Sequence, residues 1–547
     1  MSGPLLAGAV GWPEEVAARY RAAGFWQAQP LGNLLRTWSE RFGEATAVVS
    51  GPTGRRVSYR ELDRWADEIA AGLLARGLGA GDRLVVQLPN TAEFVALLFA
   101  MFRIGAVPVL ALPAHRRTEI GHLAEVAEAV GYVIADSYQG FDYRALAREV
   151  VQRVPSVRHV LVVGDPGPFV ALADVSADPA ALAGIEPIAA SCVAVLLISG
   201  GTTGRPKLIA RTHDDYAYNA RASAEVCGLT SADRYLVALP VEHNFPLACP
   251  GVLGVLGTGA TVVMAPAASP EVAFDLIERE RITVTAVVPP LAHLWVEAAA
   301  RSRHDLSSLR LLQVGGAKLN AGLARQLPKV LGCALQQVFG MAEGLLNFTR
   351  LDDPDELVET TQGRPLSPLD EVRIVDQSGR DVAPGQVGEL LTRGPYTLRG
   401  YYRAERYNAT AFTPDGFFRS GDLVRSLPTG HLVVEGRVKD VVNRGGEKVP
   451  AAELEELLLT HPGVGQAAVI GLPDDQLGEL LCVAIVPTEA GPPRLKDLKT
   501  HLIRLGVARF KLPDRLVVLD ELPLTAVGKI SKRDLVDRLG DQGRPNP

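Results

Sequence analysis

The segment of this 547-residue chain best suited to chemistry is Leu196-Leu197-Ile198-Ser199-Gly200-Gly201-Thr202-Thr203-Gly204-Arg205-Pro206-Lys207, an apolar strand running into a loop of glycines and hydroxyls. Glycines let backbone N–H groups converge on an anion, Ser199, Thr202 and Thr203 add hydroxyl donors, and Lys207 adds positive charge. The pattern predicts a phosphate-binding loop. It is not a Walker A loop, because Pro206 separates Lys207 from Gly204-Arg205 and Leu208 stands where a cation-binding Ser or Thr is required. Two carboxylates could complement it. Glu343, following Gly340, is a hard oxygen donor suited to Mg2+ on phosphates, or else the first-turn acid of a helix. Asp422, after Ser420-Gly421, could accept both hydroxyls of a sugar, or else close an ordinary turn. Gly315-Gly316-Ala317 permits close approach of a flat ring, or else forms a tight structural turn.

These residues need a scaffold, and the hydrophobic periodicity supplies one. Residues 61–76 carry apolar positions at helical spacing and end at Gly77, and 82–88 read as a short buried strand closed by Pro89-Asn90. Strand patterns recur at 193–198, 261–264, 284–288 and 311–314 with helical stretches between them, which predicts an α/β body with largely parallel sheets. Ligands in such folds gather beyond the strand C-terminal ends. From about Glu389 the texture shifts to short strands and turns such as Pro414-Asp415-Gly416 and Pro428-Thr429-Gly430. The domains expected are a multi-subdomain body over 1–438 and a small α+β domain over 439–547, the latter with helices at 451–459 and 495–504 and strands near 467–471 and 481–486.

Composition excludes several classes. Hydrophobic residues are 47% and charged residues 22% of the chain, as in ordinary soluble proteins. The net charge of -6 leaves no broad basic surface for nucleic acid. Five dispersed cysteines without CxxC spacing argue against a disulfide framework or a zinc site, and suit a reducing cytosol. The first ten residues lack an export signal. Residues 94–112 are apolar enough to consider a membrane span, but Arg103, Gly105 and Pro108 interrupt them, and a buried helix leading into a buried strand fits better. A cytoplasmic protein with no membrane role is expected.

With those residues in view, the phosphate loop resembles the signature loop of the acyl-adenylate-forming superfamily. The resemblance continues in the family's order through Phe339-Gly340-Met341-Ala342-Glu343, Tyr401, Ser420-Gly421-Asp422, Gly436-Arg437-Val438-Lys439-Asp440, Arg444-Gly445-Gly446-Glu447-Lys448 and Gly528-Lys529. It implies a large body and a small mobile C-terminal domain using ATP and Mg2+. By resemblance, Lys529 bridges the substrate carboxylate and the α-phosphate, whereas read alone it is a Lys in a loop after Gly528. Glu343 holds Mg2+, and Asp422 takes the ribose. Gly316, Val338, Phe339, Ala342 and Arg437 surround the nucleotide, Lys439 is the hinge, and Gly445 and Gly446 line a pantetheine tunnel. Bringing a carboxylate against a phosphate calls for cations and positioning rather than a protein nucleophile.

A narrower resemblance, to stand-alone aryl acid adenylating enzymes of siderophore pathways, rests on Arg211-Thr212-His213-Asp214-Asp215-Tyr216, Leu312-Gln313-Val314-Gly315-Gly316-Ala317-Lys318 and Gln336-Gln337-Val338-Phe339-Gly340-Met341-Ala342-Glu343-Gly344. It implies an aryl acid pocket built from His243, Asn244, Phe245, Cys249, Gly315 and Leu346. The neutral Asn244 amide suits an acid without an α-amine. Family members using 2,3-dihydroxybenzoate carry Tyr and Ser where Phe245 and Cys249 stand, and a thiol is a weak partner for a second ring hydroxyl. Salicylate is therefore the expected substrate, with 2,3-dihydroxybenzoate as the alternative. His243 has no second His at metal spacing and is expected to orient or wall the pocket. No Ser-bearing carrier domain is recognisable, so the acceptor expected is the phosphopantetheine arm of a separate aryl carrier protein, with free coenzyme A as the alternative. A silent nucleotide-binding scaffold is disfavoured because Lys529, Glu343 and Asp422 are all present.

Overall fold

A computed structural model describes residues 6–199, 206–444, 447–474, 477–505, 507, 511–525 and 528–540. The described parts of 6–371 and 393–418 form one compact unit, and those of 372–392 and 419–540 form a second. The sequence boundary at 438/439 falls inside the second unit. Strands Phe418–Ser426 and Leu432–Arg437 pair antiparallel with each other within a four-stranded sheet that also holds Glu371–Val375 and Gly388–Arg393, and this sheet groups with the C-terminal segment.

Two large sheets organise the first unit. One has nine strands, ordered Arg364–Pro365, Gly344–Phe348, Ala334–Met341, Leu311–Gly315, Val284–Val287, Arg234–Val237, Thr261–Met264, Thr46–Ser50 and Arg56–Ser58, and the pairs from Ala334–Met341 through Thr46–Ser50 are parallel. The other has eight strands, with Tyr401–Tyr402, Leu208–Thr212 and Val193–Ile198 at one side running into parallel strands that include Val107–Leu110 and Arg83–Gln87. Strands buried on both faces, such as Thr261–Met264 and Leu311–Gly315, are mostly apolar because helices cover the parallel sheets, with Gln313 a buried polar exception.

The apolar stretch at 94–112 is what the interrupted pattern predicts, a helix Ala92–Ile104 buried over nearly its whole length, followed by the strand Val107–Leu110. Thr91 caps that helix by accepting from Phe94 N–H, and Arg103 is buried against Asp63 and Asp67. Among the described residues no helix is long and apolar enough to cross a membrane.

The second unit also carries a five-stranded sheet built on the hairpin Val464–Asp474 with Gly478–Pro487. Helices Ala451–Leu458 and Leu495–Arg504 contribute Leu454, Leu458, Leu498 and Leu502 to a core on this sheet. Leu535 and Leu539 of the helix Lys532–Gly540 belong to a second core cluster. This is the acyl-adenylate-forming fold.

Candidate active site

In the first unit the phosphate-loop strands end in a pinch. Ser199 N–H donates to Lys207 O at 2.9 Å and Lys207 N–H returns a bond to Ser199 Oγ at 3.1 Å, so the antiparallel ladder of Val193–Ile198 with Leu208–Thr212 extends to the loop's base. Gly200, Gly201, Thr202, Thr203 and Gly204 lie outside the described residues. Lys207 places its ammonium 3.9 Å from the Tyr407 ring centroid and 5.6 Å from that of Tyr401. Tyr401, paired in register with Ile209, donates its hydroxyl to Glu343 Oε1 at 2.9 Å. One aromatic thus joins the loop's cation to the predicted metal carboxylate.

Glu343 is not at a helix start. Ala342 and Glu343 form the two-residue turn between Ala334–Met341 and Gly344–Phe348, with Met341 paired to Gly344. The local sequence dictates this: Gly344 adopts φ +127, and a Cβ there would lie 2.3 Å from Thr397 Cα, so only glycine lets the hairpin close under that segment. Leu398 N–H donates to Glu343 O at 2.7 Å and fixes the turn from below. Among the described residues no group of three His, Cys, Asp or Glu side chains gathers as a metal cage.

The residues expected to line an aryl pocket converge beside this hairpin. Gly315 pairs with Val338, and a Cβ on it would meet Val338 O at 2.7 Å and the Phe245 ring at 3.1 Å, so glycine is required for the ring of Phe245 to lie against the strand. Leu346 is buried opposite Gly340 in the same ladder. Gly316 and Phe339 are partly exposed and Val338 is buried. His243 accepts from Phe245 N–H at 3.3 Å and caps the short helix Asn244–Ala248, consistent with an orienting role. Asn244 Oδ1 accepts from Tyr216 O–H at 3.0 Å, and its Nδ2 lies 3.3 Å from Cys249 Sγ. Cys249 is buried, and burial pushes its thiol up to about 12. The sulfur is therefore a neutral acceptor already engaged by an amide, not a bare apolar filler.

Other motif residues are scaffold. Thr212 and Asp215 form a reciprocal capping box on the helix His213–Val226, His213 Nδ1 accepts from Leu31 N–H, and Asp214 accepts from Arg21 and Ala28. Gln313 and Gln336 bond to each other and to Cys227 inside the sheet. Sequence reasoning assigned no role to Arg211, Asn219 or Tyr216, nor to the buried pair Asp370 and Tyr396, whose hydroxyl accepts from Leu346 N–H. Part of this was legible: Asp215 and Asn219 stand four apart on the helix His213–Val226 and so share one face, while Arg211 lies in the strand Leu208–Thr212 that leads into it.

In the second unit, Asp422 and Arg437 are register partners and form an ion pair at 2.9 Å. Asp422 N–H also donates to Ser420 Oγ, which itself donates to Leu390 O, so the Ser420-Gly421-Asp422 turn is held from both sides. Lys439 lies in a short 3-10 turn, Val438–Asp440, directly after the strand ending at Arg437. Lys529 sits in a tight turn in which Thr525 N–H donates to Lys529 O at 2.6 Å and Lys529 N–H to Thr525 Oγ1 at 3.1 Å. Gly445 and Gly446 lie outside the described residues.

Among the residues expected to line the aryl pocket the one thiol, Cys249, is pushed up to about 12 by burial and is not an activated nucleophile. Fold and site together define an adenylate-forming ligase. Comparison with known proteins agrees. A family described as AMP-binding enzyme matches residues 35–402, and one described as AMP-binding enzyme C-terminal domain matches residues 453–529. The chain is 52% identical to 2,3-dihydroxybenzoate-AMP ligase of Bacillus subtilis, covering 98% of this chain and 99% of that one. It is 53% identical to salicyl-AMP ligase / salicyl-S-ArCP synthetase of Mycobacterium tuberculosis, over 98% and 95% of the two chains. The apo structure of Mycobacterium smegmatis MbtA superposes with a TM-score of 0.76 at 52% identity, covering 98% of this chain and all of that one. The chain belongs to the AMP-binding enzyme family.

Proposed function

We propose that this enzyme activates salicylate with ATP and passes the salicyl group to the phosphopantetheine thiol of a separate aryl carrier protein. A salicylate carboxylate oxygen attacks the α-phosphorus, the bond from that phosphorus to the bridging oxygen breaks, and pyrophosphate leaves. In the second step the carrier thiol loses its proton, its sulfur attacks the acyl carbonyl, and AMP leaves. The glycine- and hydroxyl-rich loop and Lys207 bind phosphates, Asp422 takes the ribose, and Lys529 neutralises charge where carboxylate and α-phosphate meet. Glu343, oriented by Tyr401, would hold Mg2+, which supplies charge neutralisation on the phosphates. Lys439 serves as the hinge between the two half-reactions, and Gly445 and Gly446 line the path of the pantetheine arm.

The observation that carries the choice of acid is Cys249. Its sulfur is buried and approached by Asn244, so a second ring hydroxyl placed beside it finds only a weak S–H donor. Burying that hydroxyl without a good partner costs about 1–3 kcal/mol. Relatives at nearly equal identity carry names for both acids, so 2,3-dihydroxybenzoate is the second reading. The deciding experiment is acid-dependent exchange of labelled pyrophosphate into ATP with salicylate, 2,3-dihydroxybenzoate and benzoate, followed by loading of a phosphopantetheinylated aryl carrier protein against free coenzyme A. Exchange strongest with salicylate and transfer to the carrier support the reading. Exchange with no aryl acid refutes it.

A further inference from the structure

The pocket floor and the Glu343 turn are joined by a chain of buried groups that the reaction chemistry does not itself require. Arg211 is fully buried. Its Nε donates to Asp215 Oδ1 at 2.6 Å, its Nη1 to Ala342 O at 3.1 Å, and its Nη2 to Asn219 Oδ1 at 3.3 Å. Asn219 is likewise buried, and its Nδ2 donates to Ala248 O at 2.6 Å and lies 3.8 Å from Cys249 Sγ. The amide's orientation is forced, because a guanidinium can only donate and a carbonyl can only accept. Asp215 balances the charge and is itself held by the Thr212 N–H and hydroxyl. Removing one member leaves buried polar groups unpaired, so the network has a single low-energy arrangement.

We propose that Arg211 and Asn219 are positioning residues that tie the floor of the acid pocket, at Ala248 and Cys249, to the turn that presents Glu343. Asn219 closes the last turn of Asn244–Ala248 and directs a donor at the Cys249 sulfur, so it sets where the thiol stands relative to the ring. Arg211 holds the carbonyl immediately before Glu343 from the same guanidinium, so displacement of the floor is transmitted to the carboxylate. Asn219 therefore governs acid selectivity, and Arg211 governs both selectivity and the use of ATP.

This inference rests on the aryl-acid reading above, and the test separates the two. Pyrophosphate exchange is measured with salicylate and with 2,3-dihydroxybenzoate for the full-length wild type, Asn219→Ala, Arg211→Lys, Cys249→Ala and the Asn219→Ala/Cys249→Ala double variant, resolving KM for acid from KM for ATP. Loss of the buried hydrogen bonds to Ala248 and Arg211 predicts an acid KM raised about tenfold in Asn219→Ala, with the ratio of kcat/KM between the two acids shifted several-fold and a smaller rise in KM for ATP transmitted through Arg211. Arg211→Lys is expected to raise both KM values and lower kcat, because an ammonium cannot span three acceptors. The double variant should show the acid ratio of Cys249→Ala alone, since Asn219 acts on the ring through that sulfur. Should Asn219→Ala fail to fold, Asn219→Asp replaces it: it keeps an acceptor for Arg211 but offers no N–H to Ala248 or Cys249, so the same shift is expected. A folded Asn219 variant with an unmoved acid ratio, or single effects that multiply in the double variant, overturns the proposal. A wild type that exchanges with neither acid overturns the functional reading on which it rests.

Discussion

Replacing Cys249 with serine is the sharpest probe of how the pocket chooses its acid. Cys249 Sγ lies 3.3 Å from Asn244 Nδ2 and 3.8 Å from Asn219 Nδ2, so the side chain at this position already receives amide donors. A serine oxygen would keep accepting from these amides, and its O–H would remain free to donate to a second ring hydroxyl, which a thiol does only weakly. Recovering a partner for a buried hydroxyl is worth about 1–3 kcal/mol. At about 1.4 kcal/mol per decade, the preference for salicylate over 2,3-dihydroxybenzoate should fall by roughly 5- to 150-fold in Cys249→Ser. The assay is kcat/KM for each acid in pyrophosphate exchange, with the thermal midpoint recorded to confirm folding. Most of the change should appear as improved kcat/KM for the dihydroxy acid, because salicylate has no hydroxyl to gain a partner. A ratio that moves less than about twofold in a folded variant would refute the assignment of selectivity to this sulfur.

Three other outcomes are expected. Tyr401→Phe removes the hydroxyl that donates to Glu343 and should raise the Mg2+ concentration for half-maximal exchange several-fold while leaving KM for the acid unchanged, as read from Mg2+ titrations of exchange. Lys529→Ala should lower adenylation by about a hundredfold or more, measured by exchange, with binding of an adenylate analogue retained; exchange within tenfold of wild type would remove Lys529 from the chemistry. Asp370 has a buried carboxyl oxygen, and burial pushes it up to about 7, against the Tyr396 and Ser367 hydrogen bonds. Because its folded value lies above the unfolded one, the native state binds the extra proton, and stability falls as pH rises from about 4 to about 7. Asp370→Asn should flatten that slope, so its melting temperature relative to wild type should be higher at pH 8 than at pH 5.

The core of the α/β body was legible because its strands are buried on both faces. Strands Val193–Ile198 and Thr261–Met264 fall where the apolar runs placed them, and the helix Leu495–Arg504 follows its apolar spacing. The donors on which the proposed chemistry draws can be read from the sequence too. A loop of glycines and hydroxyls after an apolar strand, and a thiol where a hydroxyl would pair a catechol, are statements about donors that hold before folding.

Tertiary structure decided what lies far apart in sequence but adjacent in space. That Glu343 sits in a hairpin turn rather than at a helix start depends on Thr397 closing over Gly344, a contact between segments some fifty residues apart. Arg211 looked like part of a family motif, yet its meaning lies in the Ala342 carbonyl, which only sheet packing brings to its guanidinium. Composition and spacing report which groups a chain owns, since those are local properties of the residues. Which acceptor a buried donor must find is set by the demand that no polar group be left unpaired in the interior, and that demand is met only when the whole unit closes.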